Sequence, residues 1–401
     1  MSMATSTTGP VKKKAGSSLF QGLQKVGRSL QLPIAVLPAA GILNRLGQDD
    51  VFGPKGLKWD AVATLFSGAG GAIFTNLALL FCIGVAIGFA KKADGSTALA
   101  ALVGYLVFHN VLTTFPKSMG GPQDPGVLGG VVVGLVSAVM WQKFHRTKLV
   151  DWLGFFNGRR LVPILMSFMG LAMAIVFGVI WKPIGAGLTD FSQWLIDQGA
   201  VGSGIFGVVN RLLIPIGMHQ FVNTFMWFQV GDYHGVHGDL NRFFAGDPHA
   251  GQFMTGFYPI MMFALPAAAL AIAHCARPER RKAVMGAMVS VGLTAFVTGV
   301  TEPIEFTFMF LAPVLYVVHA VLTGLSMFIT WALGIHDGFT FSGGLIDFGL
   351  SWSHATKPWL LIPIGLCFAV VYYVVFRVVI TKFNLPTPGR EPEEEIEDIT
   401  K

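Results

Sequence analysis

The sequence predicts an all-α integral membrane protein with about ten transmembrane helices, re-entrant elements in its second half and one interfacial amphipathic helix. Three observations carry that prediction. Hydrophobic residues fill 53% of the 401 positions and charged residues only 12%, whereas soluble domains carry about 25% charged residues. Apolar runs near bilayer-crossing length recur along the chain, and basic clusters close several of them on one side of the membrane. In the second half, prolines interrupt or border the runs. Such broken helices are tolerated at membrane depth only where protein or a water-filled cavity satisfies the backbone.

The elements follow in chain order. Residues 1–16 are rich in Ser, Thr, Gly and Lys without an apolar core, so they read as a disordered cytoplasmic tail and not as a cleaved signal. Lys12, Lys13, Lys14, Lys25 and Arg28 keep that end inside the cell. An apolar stretch over 30–43, containing Pro33 and Pro38, reads as the first span, and further spans are predicted at 68–90, 97–115, 126–142 and 161–181. Lys91 and Lys92, and then Lys143, Arg146, Lys148, Arg159 and Arg160, fall on the side of the N-terminal lysines. Within the second of those basic loops, residues 149–156 mix Trp152, Leu153, Phe155 and Phe156 with basic flanks, the pattern of an interfacial amphipathic helix.

Beyond Lys182, apolar segments continue at 202–229, 251–275, 283–299, 306–334 and 358–381, with Pro215, Pro259, Pro266 and Pro303 in or beside them. Interrupted hydrophobic segments are the best sequence pointer to the substrate site of a transporter. The division that results is a scaffold over 17–185, a substrate-carrying part over 186–383 and an acidic cytoplasmic tail over 384–401, where Glu391, Glu393, Glu394, Glu395, Glu397 and Asp398 gather.

Composition also excludes several classes. The net charge of +6 lies in short inter-span clusters without an aromatic-basic face, so nucleic-acid binding is rejected. Cys82, Cys275 and Cys367 have no metal-ligand or redox spacing and read as packing residues. No metal or cofactor is expected: His234 and His237 lie in a loop expected to be flexible, and the other histidines have no metal-like grouping with acids. The run Ser67-Gly68-Ala69-Gly70-Gly71 lacks the lysine of a phosphate loop and reads as close helix packing.

Against so few charges, an acid inside an apolar run stands out. Segment 299–306 holds Glu302 and Glu305 three residues apart, apolar on both sides, where an unpartnered carboxylate is costly. Pro303 fits only a first helical turn, so a helix begins there with Thr301 or Glu302 as its cap, and the acid can accept two hydroxyls of a hydroxyl-rich ligand. The competing reading is that both glutamates only cap the helix or pair with Arg211. A second constellation runs through Asn210, Arg211, Pro215, Gly217, His219, Gln220, Asn223 and Thr224. His219 and Asn223 share a helix face, and imidazole and amide groups both donate and accept. A third, His336-Asp337 beside Gly338, either borders the site or forms a turn at the membrane surface.

These residues resemble a known family. Leu37-Pro38-Ala39-Ala40-Gly41, Gly158-Arg159-Arg160, the segments around His219 and Glu302, and Asn384-Leu385-Pro386-Thr387-Pro388-Gly389-Arg390-Glu391 are similar to the glucose superfamily of bacterial phosphotransferase membrane subunits, enzyme II component C. Gly217-Met218-His219-Gln220 with Asn223-Thr224, and the stretch 237–247, resemble the N-acetylglucosamine branch more than the glucose branch, whose members tend to carry a second His in place of Gln220. The resemblance implies a homodimer in the inner membrane, two re-entrant hairpins in the moving half and an elevator-like displacement of sugar. It also implies that Arg211, His219 and Glu302 line the sugar site, with Glu302 or His219 beside the 6-hydroxyl. Phosphate would come from a phosphocysteine on a component B, expected here on another polypeptide because the chain ends at Lys401 without a phosphocysteine segment. An ion-coupled or passive sugar transporter, with Glu302 carrying a proton, is the rival mechanism. A sensory or structural membrane protein that binds no sugar is the rival class.

Overall fold

The structure is a computed structural model that describes Ser29, Pro33, residues 36–216 and residues 218–390. The expected N-terminal tail, much of the first expected span, Gly217 and the acidic residues from Glu391 onward lie outside the described residues.

Along one long helix the usual amphipathic pattern is inverted. The helix Pro313–Ala332 turns Val314, Val317, Val321, Leu325 and Phe328 outward and buries Tyr316, His319, Thr323, Ser326 and Thr330. Each set recurs every three or four residues, so each forms one stripe. An apolar stripe outside and a polar one inside suit a lipid solvent, in which polar groups must be satisfied within the protein.

The front half contains α1 (Leu37–Leu46), α2 (Asp60–Thr75), α3 (Leu77–Phe89), α4 (Gly95–Thr113), α5 (Gly126–Phe144) and α6 (Leu161–Asp197). Asp94 caps α4 in a reciprocal capping box with Thr97. Helix α4 lies along α6, and α3 along α5, around one core that includes Phe108, Trp141 and Met166. Small residues allow that approach: a Cβ at Gly130 would overlap the backbone carbonyl of Ala78.

The back half has α7 (Ala200–Leu213), α8 (His219–Phe228), a two-residue hairpin of β1 (Asp232–Tyr233) and β2 (Val236–His237), and α9 (Asp239–Phe244). A π-helical turn (Pro259–Ala264) then leads into α10 (Leu265–Cys275), α11 (Pro278–Thr298), α12 (Glu302–Met309), α13 (Pro313–Ala332), α14 (Leu345–Ser351) and α15 (Leu361–Lys382). Its two hydrophobic cores draw on residues 195–361 and 214–380, and the front half has a larger core and a smaller one around Phe81 and Val131. The cores of the halves meet where Leu195 of α6 enters a back-half core and Phe228 of α8 packs against the smaller front-half core.

By length and composition, five of the described helices can cross a membrane, or six if α2 and α3, bent by 55°, form one span. The larger number expected from the sequence depends on shorter or interrupted segments, among them Ala200–Ile216 and Pro259–Cys275.

Several expectations are corrected. Residues 149–156 do not form an amphipathic α-helix: Asp151–Phe156 is a six-residue 3-10 helix, with Trp152 82% exposed and Arg160 stacked 4.5 Å from the Phe155 ring. With Gly154 in the middle and Gly158 beyond, too few residues remain to nucleate an α-helix. The boundary at 185 falls inside α6, which continues through Pro183 to Asp197. Its 37 residues extend well past one crossing of the roughly 30 Å hydrocarbon layer. Residues 384–390 are not free tail. Thr387 is buried, Gly389 O accepts from Arg277 N at 3.2 Å, and Arg390 Nη1 donates to Cys275 O at 3.1 Å, supplying the last turn of α10 with a cation. Of the glycine run, Gly70 packs against α1, whereas Gly68 and Gly71 meet nothing. His234 lies in a tight hairpin turn with positive φ at both His234 and Gly235. Cys82 and Cys275 are buried, while Cys367 faces outward from α15.

Candidate functional site

The site is built where two helices stop and restart. The last turn of helix α7 carries Asn210 and Arg211, both buried. A 3-10 turn (Ile214–Ile216) containing Pro215 then redirects the chain into α8, which opens with His219. Gly299, at φ +75, ends α11 in the left-handed conformation, and α12 begins two residues after Val300 with Pro303 in its first turn. Thr301 occupies the cap position as expected, but its hydroxyl turns to Glu305 and makes no capping bond. The break touches another: Ser342 Oγ, in the loop before α14, donates to Gly299 O at 2.8 Å.

Glu305 is fully buried and its two oxygens are treated differently. Oε1 receives Arg211 Nη1 at 2.8 Å, His319 Nε2 at 3.1 Å and the Thr301 hydroxyl at 3.2 Å. Oε2 has no partner among the described residues, nor have Nε and Nη2 of Arg211. The Arg211 guanidinium lies 4.8 Å from the centre of the Phe257 ring, and its carbonyl accepts the Tyr316 hydroxyl. His319 Nδ1 faces the Tyr372 hydroxyl at 2.9 Å. Glu302 sits at the rim: its Oε1 is 3.7 Å from His219 Nε2, with side chains 31% and 11% exposed. Both His219 ring nitrogens are buried without a hydrogen bond among the described residues. Leaving a buried polar group unpaired costs about 1–3 kcal/mol. A cluster of such groups on three neighbouring residues therefore marks a place built for a polar ligand.

The structure thus gathers Arg211, Glu305, His219 and Glu302. Asn223 is buried one turn along α8 and accepts from Asn210 Nδ2, which leaves its own amide nitrogen to other partners. Gln220 is half-buried on the same helix. His336 and Asp337 belong to a different set of contacts. His336 bridges to Thr356 and approaches Ala250 O at 3.3 Å. The Asp337 backbone exchanges bonds with the Thr255 hydroxyl, and its buried Oδ2 is unpartnered among the described residues. No group of three or more His, Cys, Asp or Glu side chains suited to a metal occurs among the described residues.

Sequence reasoning passed over His319, Tyr316 and Tyr372. His319 has no metal-like grouping with acids in the sequence. Weighed like Glu302, His319 stands out, since 306–334 contains no other Asp, Glu, Lys, Arg or His.

The family model described as "Phosphotransferase system, EIIC" matches residues 27–324. The chain belongs to this family. It is similar to the "PTS system N-acetylglucosamine-specific EIIC component" of Streptomyces coelicolor, with 65% identity over all of both chains. It is also 50% identical to the "PTS system N-acetylglucosamine-specific EIICB component" of Bacillus subtilis, over 93% of this chain and 79% of that protein. Among solved structures it resembles the transporter ChbC, the IIC component of an N,N'-diacetylchitobiose-specific phosphotransferase system. The TM-score is 0.57 at 15% identity, covering 90% of this chain and 92% of ChbC. At that identity the likeness concerns the fold alone. As an EIIC component, the chain is a multi-pass membrane protein of a sugar phosphotransferase system.

Proposed function

We propose that the chain is the membrane subunit that binds N-acetylglucosamine, carries it inward and presents its 6-hydroxyl for phosphorylation by a component B. The observation that carries the reading is the cluster of unpartnered buried atoms on Arg211, His219 and Glu305 beside Glu302, between two broken helices. A sugar offers hydroxyls that donate to Glu302 and to Glu305 Oε2 and accept from Arg211 Nη2 and His219. The amides of Gln220 and Asn223 suit the acetamido group, and His336 and Asp337 border the path. The N-acetylglucosamine-specific names of the relatives support the choice of sugar.

In the transfer step the sugar O6 attacks the phosphorus of the phosphocysteine on component B. The O–P bond forms as the S–P bond breaks, cysteine leaves as thiolate, and the hydroxyl proton passes to Glu302 or His219. The product carries nearly two negative charges, and Arg211 is already neutralised by Glu305, so the site repels it. The largely separate cores of the two halves, which meet around Leu195 and Phe228 among the described residues, support an elevator-like movement of the back half. The working unit is a homodimer in lipid with both termini cytoplasmic.

The test is binding and vectorial phosphorylation in membrane vesicles. N-Acetylglucosamine should bind to the chain alone but be phosphorylated only when phosphorylated component B is supplied, and glucose should compete weakly. Accumulation of sugar driven by a pH gradient without component B would support the ion-coupled mechanism instead.

A further inference from the structure

We infer that His319 is a positioning residue for sugar recognition: it holds Glu305 by one carboxylate oxygen so that the other oxygen and the free face of Arg211 point at the ligand. The inference rests on the proposed sugar site and adds to it a residue that does not touch the sugar. His319 is fully buried in α13, and both ring nitrogens are engaged, Nε2 with Glu305 Oε1 at 3.1 Å and Nδ1 with the Tyr372 hydroxyl at 2.9 Å. An ionised carboxylate only accepts, so Nε2 carries the proton, and in a neutral ring Nδ1 accepts from Tyr372. The chain of donors runs from Tyr372 on α15 through His319 on α13 to Glu305 on α12, so three helices fix one carboxylate.

The asymmetry of Glu305 is what gives that arrangement a purpose. A carboxylate held only for stability would distribute donors over both oxygens, since each one left dry and unpaired is costly. Here Arg211, His319 and Thr301 all converge on Oε1 while Oε2 stays buried and bare among the described residues. Without His319, the Glu305 side chain can rotate until both oxygens meet the guanidinium in the favoured two-pronged pairing. That pairing consumes the acceptor and the donor that a sugar would use.

The experiment is N-acetylglucosamine binding to the full-length protein in nanodiscs, followed by calorimetry, for wild type and the variants His319→Leu, His319→Gln, Tyr372→Phe and Glu305→Gln. Loss of a hydrogen bond to a charged group is expected to weaken binding about tenfold or more in His319→Leu. His319→Gln keeps a donor near the Nε2 position and should stay within about threefold of wild type. Because His319 acts through Glu305, the double variant His319→Leu/Glu305→Gln should bind no worse than Glu305→Gln alone. Additive losses would mean a general packing role and overturn the inference, as would wild-type affinity in a folded His319→Leu. If His319→Leu does not accumulate in membranes, the same cycle is run with Tyr372→Phe, with the same two outcomes decisive. Failure of the wild-type protein to bind the sugar would overturn the proposed function itself, a result distinct from either.

Discussion

Replacing Arg211 by methionine removes the cation from a pair that water does not reach. Arg211 Nη1 and Glu305 Oε1 are 2.8 Å apart, with side chains 3% and 0% exposed. For charge centres about 4 Å apart at an effective dielectric constant of about 20, the attraction is about 4 kcal/mol. Removing one partner of a buried pair costs about 3–5 kcal/mol, chiefly because the other charge is stranded. Methionine preserves much of the packing, and His319 and Thr301 still donate to Oε1, so the expected loss is about 3 kcal/mol. Arg211→Met/Glu305→Leu abolishes the stranded charge and should regain most of that stability without regaining sugar binding. Equilibrium unfolding in detergent micelles with increasing SDS measures the first quantity, and calorimetry the second. An Arg211→Met protein that unfolds at the wild-type SDS fraction, or a double variant as fragile as the single one, would refute the account of Glu305 as an anion balanced by Arg211.

Glu302→Gln should leave the fold intact, because Glu302 sits at the rim 3.7 Å from His219, yet abolish uptake and phosphorylation; transport at the wild-type rate in vesicles would remove Glu302 from the site. Gln220→His should raise the competition by glucose against N-acetylglucosamine, measured as the ratio of their inhibition constants. Gly299→Ala should destabilise the protein by about 2 kcal/mol or more, since at φ +75 its Cβ would lie 2.6 Å from Ser342 Oγ and 2.8 Å from Gly344 N; SDS unfolding checks this. Arg45 ties the two halves together through Leu350 O at 2.7 Å and Ser353 Oγ at 3.2 Å while pairing with Asp50. Burial alone would raise the Asp50 carboxyl, but hydrogen bonds from Arg45 and Ser353 and the Arg45 charge hold it well below the usual carboxylate range. If the back half moves as proposed, this bridge must open, so Arg45→Ala should change the fraction of protein in each conformation, read by cysteine cross-linking between the halves.

The membrane environment was legible in the sequence because it depends on sums: many apolar residues, few charges, and basic clusters between runs. The spans at 97–115 and 126–142 appear almost as expected, as Gly95–Thr113 and Gly126–Phe144. Glu302 was legible too, because an acid in an apolar run needs a reason wherever the chain carries it. Local rules failed where distant segments supply the partner. Pro183 and Lys182 read as a stop, yet α6 runs through them, and residues 384–390 read as tail, yet they dock on α10. The pairing of Glu305 with Arg211 entered the sequence reading only as the competing alternative, and no spacing in the chain reveals that residues 319 and 372 join it, or that three donors choose one oxygen of Glu305 and leave the other bare. Composition and periodicity are properties of neighbours in sequence. The pairing of a buried charge belongs to neighbours in space, and only the packing of four separate helices brings those together.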